Sequence, residues 1–350
     1  MKKNKYLLLM IAPFLLTYCQ PAKKETPQTR LTHVEDVAND IFVGTGGWMI
    51  ATDTYIIGLD YGFDEFFYRY NYRTGNPDSV YRFGNKGQGP NDFLHPFSLQ
   101  YISDTLMGTY DAMLKSFTEV SLSPDSKKIK SQSLRLDNNM SFKVLKTPYN
   151  QYLGMGSYQE GMFLLFDSLG KTVQSFFEFP FKDATEKAIK NQLRGMAYQG
   201  EIAINPSGTK FAYATLNADI IHFYNILEND IQIIKKIEKR FCEYIPQEID
   251  GGIMSAIKAT SETGYLDVYA TENHVFMLYS GRTFKEYEEK SFEGDLLMIY
   301  DWSGNLKKEI LLDIPCKNIC ITPDEEILWA IAEIPEPTIV RFDLTGLRLN

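Results

Sequence analysis

Phe83-Gly84-Asn85-Lys86-Gly87-Gln88-Gly89-Pro90-Asn91-Asp92-Phe93-Leu94-His95-Pro96 is the stretch on which the reading of this chain turns. Glycine is too frequent in it for a helix, and the prolines punctuate it too often for a strand. Aromatic-rich runs flank it on both sides, from Phe66 to Tyr70 before it and from Phe97 to Tyr101 after it. It therefore reads as a shaped loop between two strands. The rest of the chain repeats this arrangement.

Six short apolar runs each end in an aromatic followed by Asp, Asn or Thr. They are Tyr70-Asn71, Phe117-Thr118, Phe166-Asp167, Tyr224-Asn225, Tyr300-Asp301 and Phe342-Asp343. Polar or glycine turns follow, as in Asp167-Ser168-Leu169-Gly170 and Asp301-Trp302-Ser303-Gly304. The spacings are 47, 49, 58, 76 and 42 residues, and their mean of about 54 suits one propeller blade per repeat. Each aromatic closes a hairpin of two β-rich runs separated by a polar break. Further runs precede the hairpins: Trp48 to Thr52, Phe97 to Ile102, Phe142 to Lys146, Ile202 to Asn205, Leu266 to Ala270 and Ile319 to Thr322. Others follow them, such as Ser79 to Phe83, Thr172 to Phe177, Ile231 to Ile237 and Leu306 to Leu312.

Four strands per repeat and six repeats specify an all-β, six-bladed β-propeller. Little chain remains after Phe342 for an outer strand, so Leu31 to Val37 is expected to complete the last blade. Such closure leaves no open sheet edge. Asp183-Ala184-Thr185-Glu186 resembles a capping box, and Ala188, Ile189, Leu193 and Met196 follow at helical spacing. One helical insertion is therefore expected near 183–199, ending by Gly200. The charged run Arg282 to Glu293 reads as a solvated hairpin tip.

The chain has 350 residues, 44% hydrophobic and 14% aromatic, enough for a sizeable β-rich core. Its net charge is −9. An acidic chain without lysine or arginine runs beyond its first residues is a poor partner for nucleic acid. Lys2, Lys3 and Lys5 precede an apolar run from Tyr6 to Leu16, too short to span a bilayer as a mature helix. This run ends Leu15-Leu16-Thr17-Tyr18-Cys19. It resembles a bacterial lipoprotein signal, with Tyr18 in place of the usual small residue. The division that follows is a signal peptide at 1–18, a polar tether at 19–30 and a propeller at 31–350. Lipid on Cys19 would anchor the chain to a membrane without spanning it. The expected location is the periplasmic or outer-membrane side. The remaining Cys242, Cys316 and Cys320 are odd in number, against a disulfide framework, and read as buried thiols.

Phe83-Gly84-x-x-Gly87-x-Gly89-Pro90-x-x-Phe93-x-x-Pro96, followed by Asp111 and Lys115-Ser116-Phe117, resembles one NHL repeat. The block from Gly264-Tyr265-Leu266-Asp267 through Phe276 to Gly281 and on to Tyr300-Asp301-Trp302-Ser303-Gly304-Asn305 resembles the TolB-like six-bladed propeller lipoproteins of the Bacteroidetes. That resemblance implies the fold and the export route. It implies no reaction, since propellers host enzymes and binders alike.

The four histidines, His33, His95, His222 and His274, form no zincin motif. There is no Gly-x-Ser-x-Gly elbow, and Gly84-x-x-Gly87-x-Gly89 is not a dinucleotide fingerprint. No catalytic residue and no protein metal ligand is assigned. His222 lies among aromatics on an alternating strand and reads as structural. Blade topology would gather Lys86, Gln88 and Asn91 on one face with Asp60, Asp111, Tyr158, Asn217, Arg282 and Glu333. Such a rim could hold a protein segment or a small polar ligand. The expectation is a monomeric, membrane-tethered binding or scaffold propeller without a cofactor. The alternative is a metal-dependent hydrolase or lactonase of the propeller type, with Ca2+ on funnel oxygens. Detergent phase partitioning tests the anchor: the Cys19→Ser variant should move to the aqueous phase, and partitioning like the parent would remove lipidation from the account.

Overall fold

The computed structural model describes residues 29–34, 43–74, 80–123, 129–137, 141–249 and 252–349. Cys19 and the segment before Thr29 lie outside these residues. The first strand, β1 (Thr29–Leu31), precedes six antiparallel sheets that follow one another in chain order.

Blade one is β2 (Gly46–Ala51), β3 (Tyr55–Asp60), β4 (Glu65–Asn71) and β5 (Tyr81–Asn85). Blade two is β6 (Gln100–Ser103), β7 (Leu106–Asp111), β8 (Ser116–Ser121) and β9 (Lys130–Arg135). Blade three is β10 (Ser141–Lys146), β11 (Tyr152–Gly156), β12 (Phe163–Phe166) and β13 (Thr172–Phe176). Two short helices, α1 (Ala184–Lys187) and α2 (Asn191–Ala197), lead into blade four, made of β14 (Gly200–Ile204), β15 (Lys210–Thr215), β16 (Asp219–Leu227) and β17 (Asp230–Arg240). A separate hairpin, β18 (Tyr244–Ile249) and β19 (Gly252–Ile257), packs on α2, where Ser255 Oγ donates to the Leu193 carbonyl at 2.7 Å. Blade five is β20 (Tyr265–Ala270), β21 (His274–Tyr279), β22 (Gly294–Asp301) and β23 (Leu306–Cys316). Blade six is β24 (Asn318–Ile321), β25 (Ile327–Glu333) and β26 (Pro337–Asp343).

Each sheet lies between two others, so its middle strands bury both faces and read as nearly continuous apolar runs. β3, β12, β21 and β25 are of this kind. The outer strands reach the rim and are polar, as in Lys-Ser-Gln-Ser-Leu-Arg of β9. The core is accordingly divided into six clusters, one between each pair of consecutive blades. Blade six closes on blade one through Trp329, Ile331 and Ile339 against Met49, Ile56, Tyr68 and Tyr70.

The Asp or Asn after each aromatic has a local role. Asp301 Oδ1 accepts the amides of Ser303 and Asn305, both at 2.9 Å, and Asp167 Oδ1 accepts those of Leu169 and Lys171. These turns link the third strand to the fourth. Phe117-Thr118 breaks this rule, since it opens β8 instead of ending it. Register places Val120 against Met107 as Tyr70 stands against Ile56, so Val120 and Ser121 hold the marker position in blade two.

Two other expectations meet a different structure, and a third, the solvated tip, gains detail. The helical insertion is broken in two. Asp183 caps α1 through the Glu186 amide at 2.9 Å, while Glu186 turns inward to accept the Tyr198 hydroxyl and the Lys182 amide. The charged tip after β21 carries a helical turn, α3 (Phe284–Tyr287), and a 3-10 turn (Glu288–Phe292). At the N-terminus, Thr29–Leu31 runs parallel to Ile310–Leu312 as a fifth strand of blade five. Among the described residues of the expected Leu31 to Val37 strand, Val34 reaches the outer edge of blade six, donating to the Arg341 carbonyl at 2.7 Å, while 35–37 lie outside the described residues.

The Phe83–Pro96 loop joins blades one and two. Gly84 sits at φ +77°, where a Cβ would strike the Phe67 ring. Phe93 is fully buried between the blades, and Asp92 accepts the Gly89 amide at 2.8 Å. Gly84→Ala should lower unfolding stability by about 2 kcal/mol, from left-handed strain and displacement of Phe67. Urea denaturation checks this, and an unchanged midpoint would show that the loop gives way freely.

Candidate functional site

The six innermost strands, β2, β6, β10, β14, β20 and β24, surround an axial channel of about 330 Å3. Ile50, Leu145, Ile204, Val268 and Ile321 make its wall apolar. Each inner strand runs toward the turn that joins it to its second strand. The channel is open at that end, where Pro206, Glu272 and Pro323 are exposed. These turns are stitched by side chains near the ends of the inner strands. Thr52, Asn205, Thr271 and Thr322 each accept a turn amide, from Tyr55, Lys210, His274 and Ile327. Carboxylates link neighbouring turns, with Glu272 accepting from Ser207 and Glu325 from His274 and Thr271.

Near the starts of the inner strands the channel is crossed by a charged cluster. Trp48 Nε1 of blade one donates to Glu201 Oε2 of blade four at 3.1 Å, directly across the ring. Lys143 of blade three is ion-paired with Glu201, and its ammonium lies 4.7 Å from the Trp48 ring centroid. Asp267 of blade five accepts the amides of Val268 and Ile319, each at 2.9 Å, and the Asn318 side chain. Register breaks at this level in three of these strands, between Gly46 and Met49, Ser141 and Lys143, and Tyr265 and Asp267. Such bulges re-aim side chains, here at the level where Trp48, Lys143 and Asp267 meet the axis.

Burial pushes the Lys143 ammonium down from the usual lysine range and the Asp267 carboxyl up, while their mutual attraction opposes both. The floor of the channel is therefore an ion pair, Lys143 with Glu201, beside an amide-held carboxyl, Asp267, beneath an apolar wall. Further ties join the inner strands of different blades. The Tyr269 hydroxyl accepts the Ala51 amide at 3.1 Å, and the Gln100 amide group pairs with both backbone groups of Lys146 at 2.7 and 2.9 Å.

The nine rim residues expected from the sequence lie at the other end of the strands. Asp60 is fully buried and accepts the amides of Gly44, Thr45 and Gly62 together with Arg82. Asp111, also buried, accepts the amides of Leu94, His95, Met113 and Leu114. Both carboxylates thus fasten a blade-to-blade loop to a hairpin turn. The Tyr158 hydroxyl bonds Ser141 Oγ at 2.6 Å inside blade three, and burial pushes its pKa up. Asn217 is buried and donates to the Ala197 carbonyl at 3.3 Å. Arg282 pairs with Asp295, and Glu333 with Lys317. Lys86 donates to the Tyr61 carbonyl at 2.8 Å, while Gln88 is exposed and Asn91 half-buried. No hydrogen bond or ion pair among the described residues joins one of these nine side chains to another.

His222 is buried in blade four against Tyr224 and Glu238, and burial lowers its pKa. Cys242, Cys316 and Cys320 are buried free thiols.

The channel cluster is what the motif search passes over. Its signal is a charge inside an otherwise apolar inner strand, as in Ser-Phe-Lys-Val-Leu-Lys of β10 and Tyr-Leu-Asp-Val-Tyr-Ala of β20. Breaking a buried ion pair from one side leaves an unpaired charge, whereas replacing both partners by apolar groups is often neutral. Glu201→Leu should therefore cost about 3 kcal/mol, and Lys143→Met combined with Glu201→Leu should recover most of it. Urea unfolding of Glu201→Leu, Lys143→Met and the double variant checks this; costs that simply add would show that the pair is not linked.

The TolB-like 6-blade propeller-like family matches residues 24–324 of the chain. A search of curated protein sequences finds no match. Among solved structures, a protein of Bacteroides fragilis NCTC 9343 described as exported is similar, with a TM-score of 0.51 and 12% identity over 90% of this chain and 94% of that one. The calcium-binding protein regucalcin of Agrobacterium tumefaciens str. C58 is similar at a TM-score of 0.51 and 11% identity, over 90% and 95% of the two chains. At these identities the likeness is one of fold. With six blades in chain order and the family matched over most of its length, the chain belongs to the TolB-like six-bladed propeller family.

Proposed function

We propose that this protein is an exported, lipid-tethered propeller that binds a small molecule in its axial channel without transforming it. The observation that carries the reading is the channel itself: an apolar wall, an end that opens to solvent, and a floor whose charged groups are each held by a partner. Sites for small ligands have this character, concave and mostly apolar with a few placed polar groups. Export and anchoring are supported by the basic start, the short apolar run and Cys19. The Bacteroides fragilis neighbour is itself described as exported.

The alternative, a metal-dependent hydrolase or lactonase, draws on regucalcin, described as calcium-binding. Ca2+ asks for six to eight oxygen ligands about one point. Among the described residues no group of three or more His, Cys, Asp and Glu side chains is placed to hold a metal. Asp60 and Asp111 are occupied by backbone amides, and beside Glu201 the chain supplies its own cation, Lys143. These features favour the binding reading.

Native mass spectrometry of protein purified from its own cells tests it. The parent chain should carry one small molecule, released on denaturation. Ala203→Phe, which places a ring in the channel, should carry none while keeping its circular dichroism spectrum. Identical spectra for the two chains would overturn the assignment.

A further inference from the structure

The chain enters the propeller at a fixed place and in a fixed direction. β1 is parallel to β23, with Thr29 opposite Ile310 and Leu31 opposite Leu312. β23 itself runs from the turn at Ser303 and Gly304 toward the next blade. Thr29 therefore lies toward the end of the strands that carries the turns between third and fourth strands. The turns between first and second strands share that end, because β3 begins beside the end of β4, Tyr55 opposite Asn71. This is where the channel is open, at Pro206, Glu272 and Pro323. The connection is held on both sides of the strand. His33 makes two contacts with Asp313, at 2.9 and 3.1 Å, and Val34 donates to the Arg341 carbonyl.

Nine residues lie between Cys19 and Thr29, ten Cα steps that reach at most about 35 Å when fully extended. A lipid on Cys19 thus draws this end of the propeller toward the bilayer. The turns here carry Asp53, Asp104, Glu272, Asp324 and Glu326 beside Arg73, Lys171 and Lys307, a face of mixed charge.

We propose that the tether turns the open end of the channel toward the membrane, and that the channel takes a neutral single-chain amphiphile from it. This rests on the reading of a lipid-anchored binding protein. The wall suits an alkyl chain, and the floor selects the head. Lys143 offers donors and Glu201 an acceptor, so a hydroxyl can bond both without adding charge. A carboxylate head would pass Glu272 and then meet Glu201 and Asp267, while an ammonium head would meet Lys143 and find both carboxylates taken, Glu201 by Lys143 and Trp48 and Asp267 by the amides of Val268 and Ile319. Either would be buried as an ion without a partner of its own.

The test uses the full lipidated chain in vesicles of zwitterionic phospholipid. One fluorophore is placed at Leu169→Cys, 73% exposed on a turn at the open end. Another is placed at Glu289→Cys, exposed at the opposite end. The native thiols are buried and do not compete. A nitroxide on the lipid headgroup should quench the first label at least twofold more than the second; equal or reversed quenching overturns the orientation. In the same vesicles 1-decanol should change Trp48 fluorescence saturably, and Trp48→Phe and Ala203→Phe should both abolish the change. Decanoate or decylamine binding as tightly as decanol, or decanol producing no change, overturns the ligand class. A parent chain that does not bind vesicles removes the anchor, and the proposal with it. A vesicle-bound chain that fails the quenching contrast overturns the orientation alone.

Discussion

A propeller stands or falls on the closure of its ring. No blade can cover both faces of its own sheet, so each depends on the next, and the sixth must find the first. Here that junction is made by Trp329 of β25, whose ring meets Tyr70 and Tyr72 of blade one at centroid distances of 6.3 and 6.0 Å. Arg73 reaches Asp324 outside it, 3.7 Å away. Burying aromatics of this size contributes on the order of 2–3 kcal/mol each. The N-terminal segment reinforces the closure differently, binding blade five along β1 and blade six through Val34. It straps the last two blades together from outside, across the join that β23 makes with β24.

Closure also creates the channel. Six inner strands brought into a ring leave an axial space that side chains must either fill or line. At one level the protein fills it, with bulges aiming Trp48, Lys143 and Asp267 inward and Glu201 tying blade four to blade one. Above that level it lines the space with branched aliphatics and leaves it open. The charged layer makes contact between blades that are not neighbours. The Tyr269 hydroxyl does the same when it accepts the Ala51 amide. Rigidity at the axis and a cavity beside it come from one arrangement.

How far the sequence carries this picture depends on which physics is local. The hairpins are legible because turn chemistry is local: Asp167, Asp301 and Asp343 each accept turn amides within a few residues. The one misplaced marker, Phe117, has the same cause. Blade two uses Ser121 at that turn, and an aromatic elsewhere on β8 stands out instead. The helical insertion is legible at its cap, Asp183, but not at its break. Glu186 turns inward to Tyr198, a contact twelve residues away. Asp60 and Asp111 look like rim ligands in the sequence. Only the fold shows that loop amides sixteen or so residues away consume them. The channel floor is least legible of all, because Trp48, Lys143, Glu201 and Asp267 come from four blades. Each sits in a run that by itself reads as an ordinary strand.

The measurement that bears most directly on this account is an experimental density map of the protein isolated from its native membrane, without added ligand. The account places continuous density in the axial channel, its polar end against Lys143 and Glu201 and its apolar end toward Pro206 and Pro323. An empty channel, with density for a bound molecule or ion on the rim around Lys86, Gln88 and Asn91 instead, would contradict it.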